Sequence, residues 1–164
     1  GGVNENNLNT YLGFKKVICC GGSWIVPDKL IKAGKWEEIT DLCRAAVNKM
    51  LDFSVAHVGI NCENENEAKD VTDMFAKMFG WEQKVGNSSV LAGSYIECMK
   101  TPFRGAKGHI AVATNSVRRA VYQLKSLGIE ADMDSAKYDK EGRMTVVYLK
   151  DEVGWFAVHL VEKK

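Results

Sequence analysis

The hydrophobic pattern of the first fifty residues predicts a buried strand followed by an amphipathic helix. Residues 17–20 form a short continuous apolar run, which is typical of a strand buried on both faces in a parallel sheet. A helix is predicted over about residues 36–50, because apolar residues recur there at intervals of three and four positions. A strand followed by a helix indicates an α/β segment for residues 1–51.

From residue 53 the pattern changes to one longer strand, one helix and several short strands. The first strand is predicted at residues 54–60, and the helix after it ends at Gly80, a usual C-terminal stop. Turns containing glycine then separate three short alternating stretches. These are the predicted strands at 82–85, 89–92 and 95–99.

The same order of elements is repeated in the second half. A strand is predicted at 109–113, and Asn115 or Ser116 can cap the helix that follows and ends at Gly128. Three more strands are predicted near 129–133, 144–150 and 155–161.

Two units of the order βαβββ therefore make up an α+β domain over residues 53–164, with the boundary at Leu51 and Asp52. The repeat is visible in the sequence, since AHVGI at 56–60 begins the first unit and GHIAV at 108–112 begins the second. An ordinary α+β sandwich has a similar pattern, because hydrophobic spacing alone does not determine strand order. The matched position of a histidine in both units favours the repeat.

Composition and charge exclude several classes of partner. The formal net charge is +1, so there is no basic field for nucleic acid. No apolar run approaches the roughly 18–20 residues of a membrane helix, and no signal-peptide pattern begins the sequence. None of the five cysteines is in a CxxC pair, and Cys19 and Cys20 lie together in the predicted buried strand. We therefore expect reduced, buried thiols and a cytoplasmic protein, with no nucleic-acid or membrane partner.

Two glycine-rich segments in residues 1–51 are candidates for phosphate binding. Gly21, Gly22 and Ser23 follow the predicted strand, and Gly1 and Gly2 precede a short predicted helix. Glycine lets the backbone approach an anion, and N–H groups at a helix start point towards it. A tight strand–helix turn needs the same glycines, so the pattern alone leaves both interpretations open.

The longer motifs in this region resemble a known family. GGVN at 1–4, CGGSWIVP at 20–27 and AGKWEEIT at 33–40 are similar to the C-terminus of the 2-keto-3-deoxy-6-phosphogluconate and 2-keto-4-hydroxyglutarate (KDPG/KHG) aldolases. The resemblance implies that residues 1–51 are the last part of a (β/α)₈ barrel. It also implies that Gly1, Gly2, Gly21, Gly22 and Ser23 belong to its phosphate site, after strands seven and eight.

The catalytic groups of that family are not matched here. Its members release pyruvate through a Schiff-base lysine and a glutamate on earlier strands, and none of Lys15, Lys16 or Lys29 matches the lysine motif. The sequence is expected to be a fragment of a longer bifunctional aldehyde-lyase and, by itself, not an active aldolase. For the full-length bacterial protein we expect a homo-oligomer that binds a small keto-acid or a sugar-acid phosphate.

The histidines of the second domain are the other candidates for chemistry. The chain has three, His57, His109 and His159, and each lies on a predicted strand. His57 and His109 occupy equivalent places in the two units, and His159 lies on the last strand of the second. The last strand of the first unit carries Glu97, a carboxylate that is costly to bury without a partner.

This arrangement resembles the vicinal oxygen chelate superfamily, which includes glyoxalase I and methylmalonyl-CoA epimerase. Its paired βαβββ units form a cup, and the first and last strand of each unit hold a metal. The resemblance implies that His57, Glu97, His109 and His159 are the ligands. This sequence departs from the glyoxalase I pattern by having histidine in the fourth place, and by about one extra residue before it.

Imidazole and carboxylate ligands suit Zn²⁺, Ni²⁺, Fe²⁺, Co²⁺ or Mn²⁺. Strand alternation also places Val55, Gly59 and Ala111 on the face of the histidines, where they are expected to be small enough to leave a pocket. Such a metal can chelate two neighbouring substrate oxygens and acidify the C–H between them. The alternative is a metal-free domain that serves as a ligand-binding or oligomerisation module.

Overall fold

The computed structural model describes residues 1–14 and 16–163, which form two compact units, Gly1–Asp52 and Phe53–Lys164. The first unit is helical, with α1 (Leu8–Leu12), a 3₁₀ turn (Ser23–Ile25), α2 (Asp28–Lys32) and α3 (Trp36–Leu51). The shorter helical pieces all pack against α3, whose apolar stripe gives them a common surface. The predicted helix at 36–50 is confirmed.

The strand predicted at residues 17–20 is wrong. The described residues of the first unit contain no strand, and Ile18 is 85% exposed. A strand requires a neighbouring strand to complete its hydrogen bonds, and residues 1–14 and 16–52 provide none. The expectation of buried thiols at this place is also wrong, since Cys19 is exposed and Cys20 is only partly buried.

The second unit contains the two predicted βαβββ halves. The elements of the first half are β1 (Ser54–Asn61), α4 (Glu65–Phe79), β2 (Gln83–Val85), β3 (Ser89–Ala92) and β4 (Ile96–Met99). Those of the second are β5 (Gly108–Thr114), α5 (Val117–Ser126), β6 (Ala131–Tyr138), β7 (Met144–Leu149) and β8 (Phe156–Glu162). The fold class predicted for this domain is confirmed.

Side-chain caps begin both helices of this unit, and a glycine follows each of them. The Asn64 side chain accepts a hydrogen bond from the backbone N–H of Glu67 at the start of α4. Ser116 caps α5 in the same way. After α4, Gly80 has a φ of 68°, a left-handed conformation that glycine adopts without the penalty of a β-carbon.

All eight strands form one mixed sheet in the order β2-β3-β4-β1-β5-β8-β7-β6. Its four central strands are therefore the first and last strand of each half. β1 pairs in parallel with β4, β5 pairs in parallel with β8, and β1 and β5 join the halves as antiparallel neighbours. Side chains on the same face of these four strands can meet, whichever half they come from.

The helices cover one face of the sheet and leave the other face for the polar cluster described below. Cys62, Ala68, Val90 and Cys98 form a buried apolar cluster where α4 packs on β3 and β4. Burial raises the pKa of the Cys98 thiol to about 12, so this cysteine is an apolar core residue. Since side chains alternate along a strand, Glu97 beside it points to the opposite face.

Candidate metal centre

Strand register places the four candidate ligands in two adjacent rows across the sheet. In one row Glu97 lies beside Gly59, which lies beside His109. The next row contains His57, then Ala111, then His159. Large polar side chains thus alternate with small residues both across neighbouring strands and along β1 and β5. The polar groups can therefore lean over their small neighbours and converge.

Glu97 contacts one histidine from each βαβββ half of the domain. One oxygen, Oε2, lies 3.1 Å from His57 Nε2 and 3.2 Å from His109 Nε2, and those two nitrogens are 3.2 Å apart. The Ser89 hydroxyl donates to the other oxygen, Oε1, at 2.6 Å. The hydrogen bonds from His109 and His57 hold the pKa of the Glu97 carboxyl well below its usual range, although burial opposes them. Glu97 is therefore an anion fixed between two imidazoles.

His159 completes the cluster from β8 without a hydrogen bond. The residue is 7% exposed, and neither Nδ1 nor Nε2 has a hydrogen-bond partner among the described residues. Its ring lies 5.2 Å from that of His109 and 5.5 Å from that of His57, between centroids. Burial, followed by the nearby imidazoles, lowers the pKa of His159 to about 4. At neutral pH it is therefore uncharged and has a free lone pair.

The three imidazoles are close enough to act on one ion. A nitrogen from each of His57, His109 and His159 lies within 4.8 Å of the other two. Two nitrogens bound to one transition metal at roughly 2.0–2.1 Å are at most about 4.2 Å apart, so a small movement of the side chains would place all three on one ion. Glu97 touches two of these rings, so the structure brings together all four residues that the sequence singled out.

Packing determines where the His109 ring lies. A β-carbon added to Gly59 would be 2.0 Å from His109 Cε1, which means that the imidazole lies directly over this glycine. The expectation that Gly59 leaves room for a pocket is therefore wrong, because the His109 ring fills that space. The placement expected for Val55 is also wrong, because a register shift before His57 pairs Val55 with Val112, whose side chain is on the other face of the sheet from that of Ala111. The pocket is a cavity of about 640 Å³ beyond the rings, lined by the four candidate ligands and by residues of β6 and β7.

Sequence reasoning missed two residues that contact the ligands, Tyr148 and Ser89. Tyr148 stacks on His159, with ring centroids 4.8 Å apart and planes 19° apart, because the two residues are paired neighbours on β7 and β8. Arg104 lies over the Tyr148 ring, and Ser89 bonds to Glu97. The only sequence signal for Ser89 is a polar residue in an apolar strand, which is weak evidence for a role.

In the first unit, the two glycine-rich segments lie next to each other. A β-carbon on Gly22 would be 2.9 Å from the Val3 carbonyl oxygen and 2.0 Å from the Trp24 ring. The spaces around Gly1, Gly2 and Gly21 are open, and Ser23 begins a 3₁₀ turn of three residues. The close approach explains why Gly22 is glycine, while phosphate binding stays a prediction.

The acid stability of the metal-free protein should depend on His159. As the pH falls below 6.5 the unfolded chain takes up a proton at this residue, whereas the folded protein does so only near pH 4. Stability should therefore fall across this interval by up to about 3 kcal/mol. Urea unfolding at pH 7, 5.5 and 4.5 measures the change. His159→Gln should have a shallower dependence, and equal slopes for the two proteins would contradict the assignment.

Known proteins match the two parts of the chain separately. Residues 1–42 match the family model described as KDPG and KHG aldolase. The KHG/KDPG aldolase of Escherichia coli (strain K12) is 47% identical over 47 residues, which are 29% of this chain and 22% of that protein. A 2-dehydro-3-deoxy-phosphogluconate aldolase of Pseudoalteromonas atlantica is 45% identical over a segment of the same length and coverage. The chain thus spans less than a quarter of these relatives, and the predicted resemblance of its N-terminal segment is confirmed.

Solved structures match the second part. Methylmalonyl-CoA epimerase from Mycobacterium tuberculosis is 13% identical, covers 70% of this chain and 90% of its own, and has a TM-score of 0.48. A hypothetical protein from Bacillus halodurans is 17% identical, with 68% and 95% covered and a TM-score of 0.47. A glyoxalase family protein from Enterococcus faecalis is 19% identical, with 66% and 97% covered and a TM-score of 0.27.

None of the helices in the described part of the chain is both long and apolar enough to cross a membrane.

Proposed function

We propose that residues 53–163 form a divalent metal centre whose ligands are His57, Glu97, His109 and His159. The observation that carries this proposal is the state of His159, whose buried ring nitrogens have no hydrogen-bond partner among the described residues. A buried polar group without a partner costs free energy, about 1–3 kcal/mol. A metal bound by one of these nitrogens would offset that cost.

The chemistry of the four residues supports the same proposal. Three imidazoles and one carboxylate suit Zn²⁺, Ni²⁺, Fe²⁺, Co²⁺ or Mn²⁺ better than Mg²⁺ or Ca²⁺, which prefer oxygen ligands. The groups are already in the required forms, since Glu97 is ionised and His159 is uncharged at neutral pH. When bound, such a metal would polarise two neighbouring oxygens of a small keto or hydroxy acid, which fits an isomerase, epimerase or lyase.

The protein's own residues would hold this centre in place. Ser89 donates to Glu97 Oε1 and leaves Oε2 directed at the imidazoles. Tyr148 packs flat against His159 and restricts rotation of its ring. Gly59 lets the His109 ring lie against the strand. Residues that orient metal ligands in this way usually have a measurable effect on metal affinity.

A metal-free binding or oligomerisation module is the second candidate, and one observation favours it. Glu97 is already bonded to Ser89, His57 and His109, so its carboxylate has hydrogen-bond partners without an ion. The two candidates differ in what they require of His159, because metal binding gives one of its buried nitrogens a partner.

Elemental analysis separates the two candidates. The chain is purified without chelators, incubated with each of the five metals in turn and desalted before measurement. We expect about one equivalent of one of them per chain, together with a rise in the melting temperature that EDTA reverses. If no metal is retained and none changes the melting temperature, the metal-free candidate is correct.

For residues 1–50 we propose a place in the phosphate-binding end of a KDPG/KHG aldolase barrel within a longer parent protein. The support is the family match over residues 1–42 and the closeness of Gly22 to Val3, which brings the two glycine-rich segments together. In this proposal the parent protein is an aldehyde-lyase that releases pyruvate.

The chain of 164 residues should not form a Schiff base with pyruvate. Its lysines in the aldolase-like segment do not match the family's reactive lysine, which must be desolvated on a barrel strand. Borohydride reduction in the presence of pyruvate, followed by mass spectrometry, should leave the mass unchanged. An intact aldolase of the family is the positive control, and a pyruvyl adduct on any lysine of this chain would contradict the prediction.

A further inference from the structure

Two cationic side chains line the cavity beside the candidate ligands and are not part of the proposed metal centre. Arg104 and Lys137 line this cavity of about 640 Å³, together with one carboxylate besides Glu97, that of Asp134. A divalent ion held by Glu97 and neutral imidazoles would give the metal centre a net charge of +1. Even when Asp132, the ion-pair partner of Arg104, is counted, the sum of these charges is positive, so the cavity would attract an anion.

Arg104 is fixed in a position from which it can bind a second anion. Its Nη1 lies 2.7 Å from Asp132 Oδ2, and its guanidinium carbon is 4.9 Å from the centre of the Tyr148 ring. A guanidinium has five N–H donors, and the contact with Asp132 involves only one of its nitrogens. Because the group is already held by an ion pair and a ring, little conformational freedom is lost when a ligand binds.

Tyr148 packs against both this cation and one of the candidate metal ligands. Its ring centre is 4.9 Å from the Arg104 guanidinium carbon and 4.8 Å from the centre of the His159 ring. Arg104 and the candidate ligands are therefore distinct places along one aromatic ring. A ligand that uses both places needs two separate polar ends joined by a short chain.

Building on the proposed metal centre, we propose that Arg104 and Lys137 form a subsite for the distal carboxylate of a small 2-oxo diacid. The vicinal oxygens at the other end of the diacid would bind at the ligands on β1, β4, β5 and β8. The planar guanidinium pairs with a carboxylate through two parallel hydrogen bonds, and Lys137, which also lines the cavity, adds a second positive charge. The substrate class of the site is thus a compact acid with anionic groups at both ends.

Binding of two matched probes tests the subsite. 2-Oxoglutarate and 2-oxopentanoate have the same chain length and the same vicinal oxygens, but only the first has a distal carboxylate. Calorimetry on the full chain, loaded with the metal it retains, should show 2-oxoglutarate bound about tenfold or more tightly. The double variant Arg104→Gln/Lys137→Gln should lose this preference and keep the affinity for 2-oxopentanoate. Lys140→Gln, outside the cavity lining, is the control.

Equal affinity for the two probes in the unsubstituted protein would overturn the subsite, and so would a preference that survives in the double variant. If the protein retains no metal, the proposed function fails on its own, and the same comparison is made on the metal-free protein. A preference for 2-oxoglutarate that is lost in the double variant then still supports the subsite. Absence of such a preference overturns it.

Discussion

Replacing His57 or His109 by alanine is expected to weaken metal binding by at least about 100-fold, since even residues that only support a ligand usually contribute 10–100-fold. Each substitution removes one nitrogen from a group that lies within 4.8 Å and leaves Glu97 with a single imidazole partner. Competition with a chelator of known affinity measures the loss.

His159→Ala should have an effect of similar size. Although the sequence has about one extra residue before His159 compared with the glyoxalase I pattern, β8 pairs with β5 so that His159 lies opposite Ala111, in the same row as His57. Tyr122→Ala, an aromatic substitution on the exposed side of α5, is the matched control and should leave affinity unchanged. Full affinity in His159→Ala would show that the fourth ligand is not used.

The melting temperature without metal distinguishes loss of a ligand from loss of the fold. His159→Ala removes a buried ring whose nitrogens lack partners among the described residues, so the loss of packing is partly offset. The metal-free variant should therefore unfold cooperatively near the temperature of the metal-free parent. The rise in melting temperature caused by the metal should disappear.

The architecture of the second unit could be predicted from the sequence because its signals are local. Each helix has a polar cap and ends close to a glycine in a left-handed conformation, and glycines with positive φ lie in the turns before β4, β7 and β8. The strand expected at residues 17–20 failed for the opposite reason. A continuous apolar run becomes a strand only if other strands pair with it, and this depends on parts of a chain far away in sequence.

The candidate site was predictable to the extent that it follows the repeat. His57 and His109 occupy equivalent places on β1 and β5, and Glu97 and His159 occupy equivalent places on β4 and β8. The surrounding contacts were not predictable, because they depend on register between strands. Tyr148 meets His159 only because β7 and β8 pair with these two residues opposite each other.

Gly59→Ala should disable the metal centre while it leaves the sheet intact. The new β-carbon would be 2.0 Å from His109 Cε1 and 2.2 Å from its Nδ1, so the imidazole must move. Because these atoms belong to the end of a side chain, the ring should rotate away before the backbone does, at a cost of about 1–3 kcal/mol in stability. The displaced ring should lose its contact with Glu97, and metal affinity should fall by about as much as in His109→Ala.

A double-mutant cycle isolates the cause of this effect. In the His109→Ala background the ring is absent, so Gly59→Ala should no longer reduce stability, and the better strand propensity of alanine should make it neutral or slightly stabilising. The coupling between the two substitutions, measured by urea unfolding of the metal-free proteins, should therefore be close to the whole cost of Gly59→Ala. If Gly59→Ala were equally destabilising with and without the His109 ring, the glycine would be required by the backbone conformation of β1 and not by the space that the imidazole occupies.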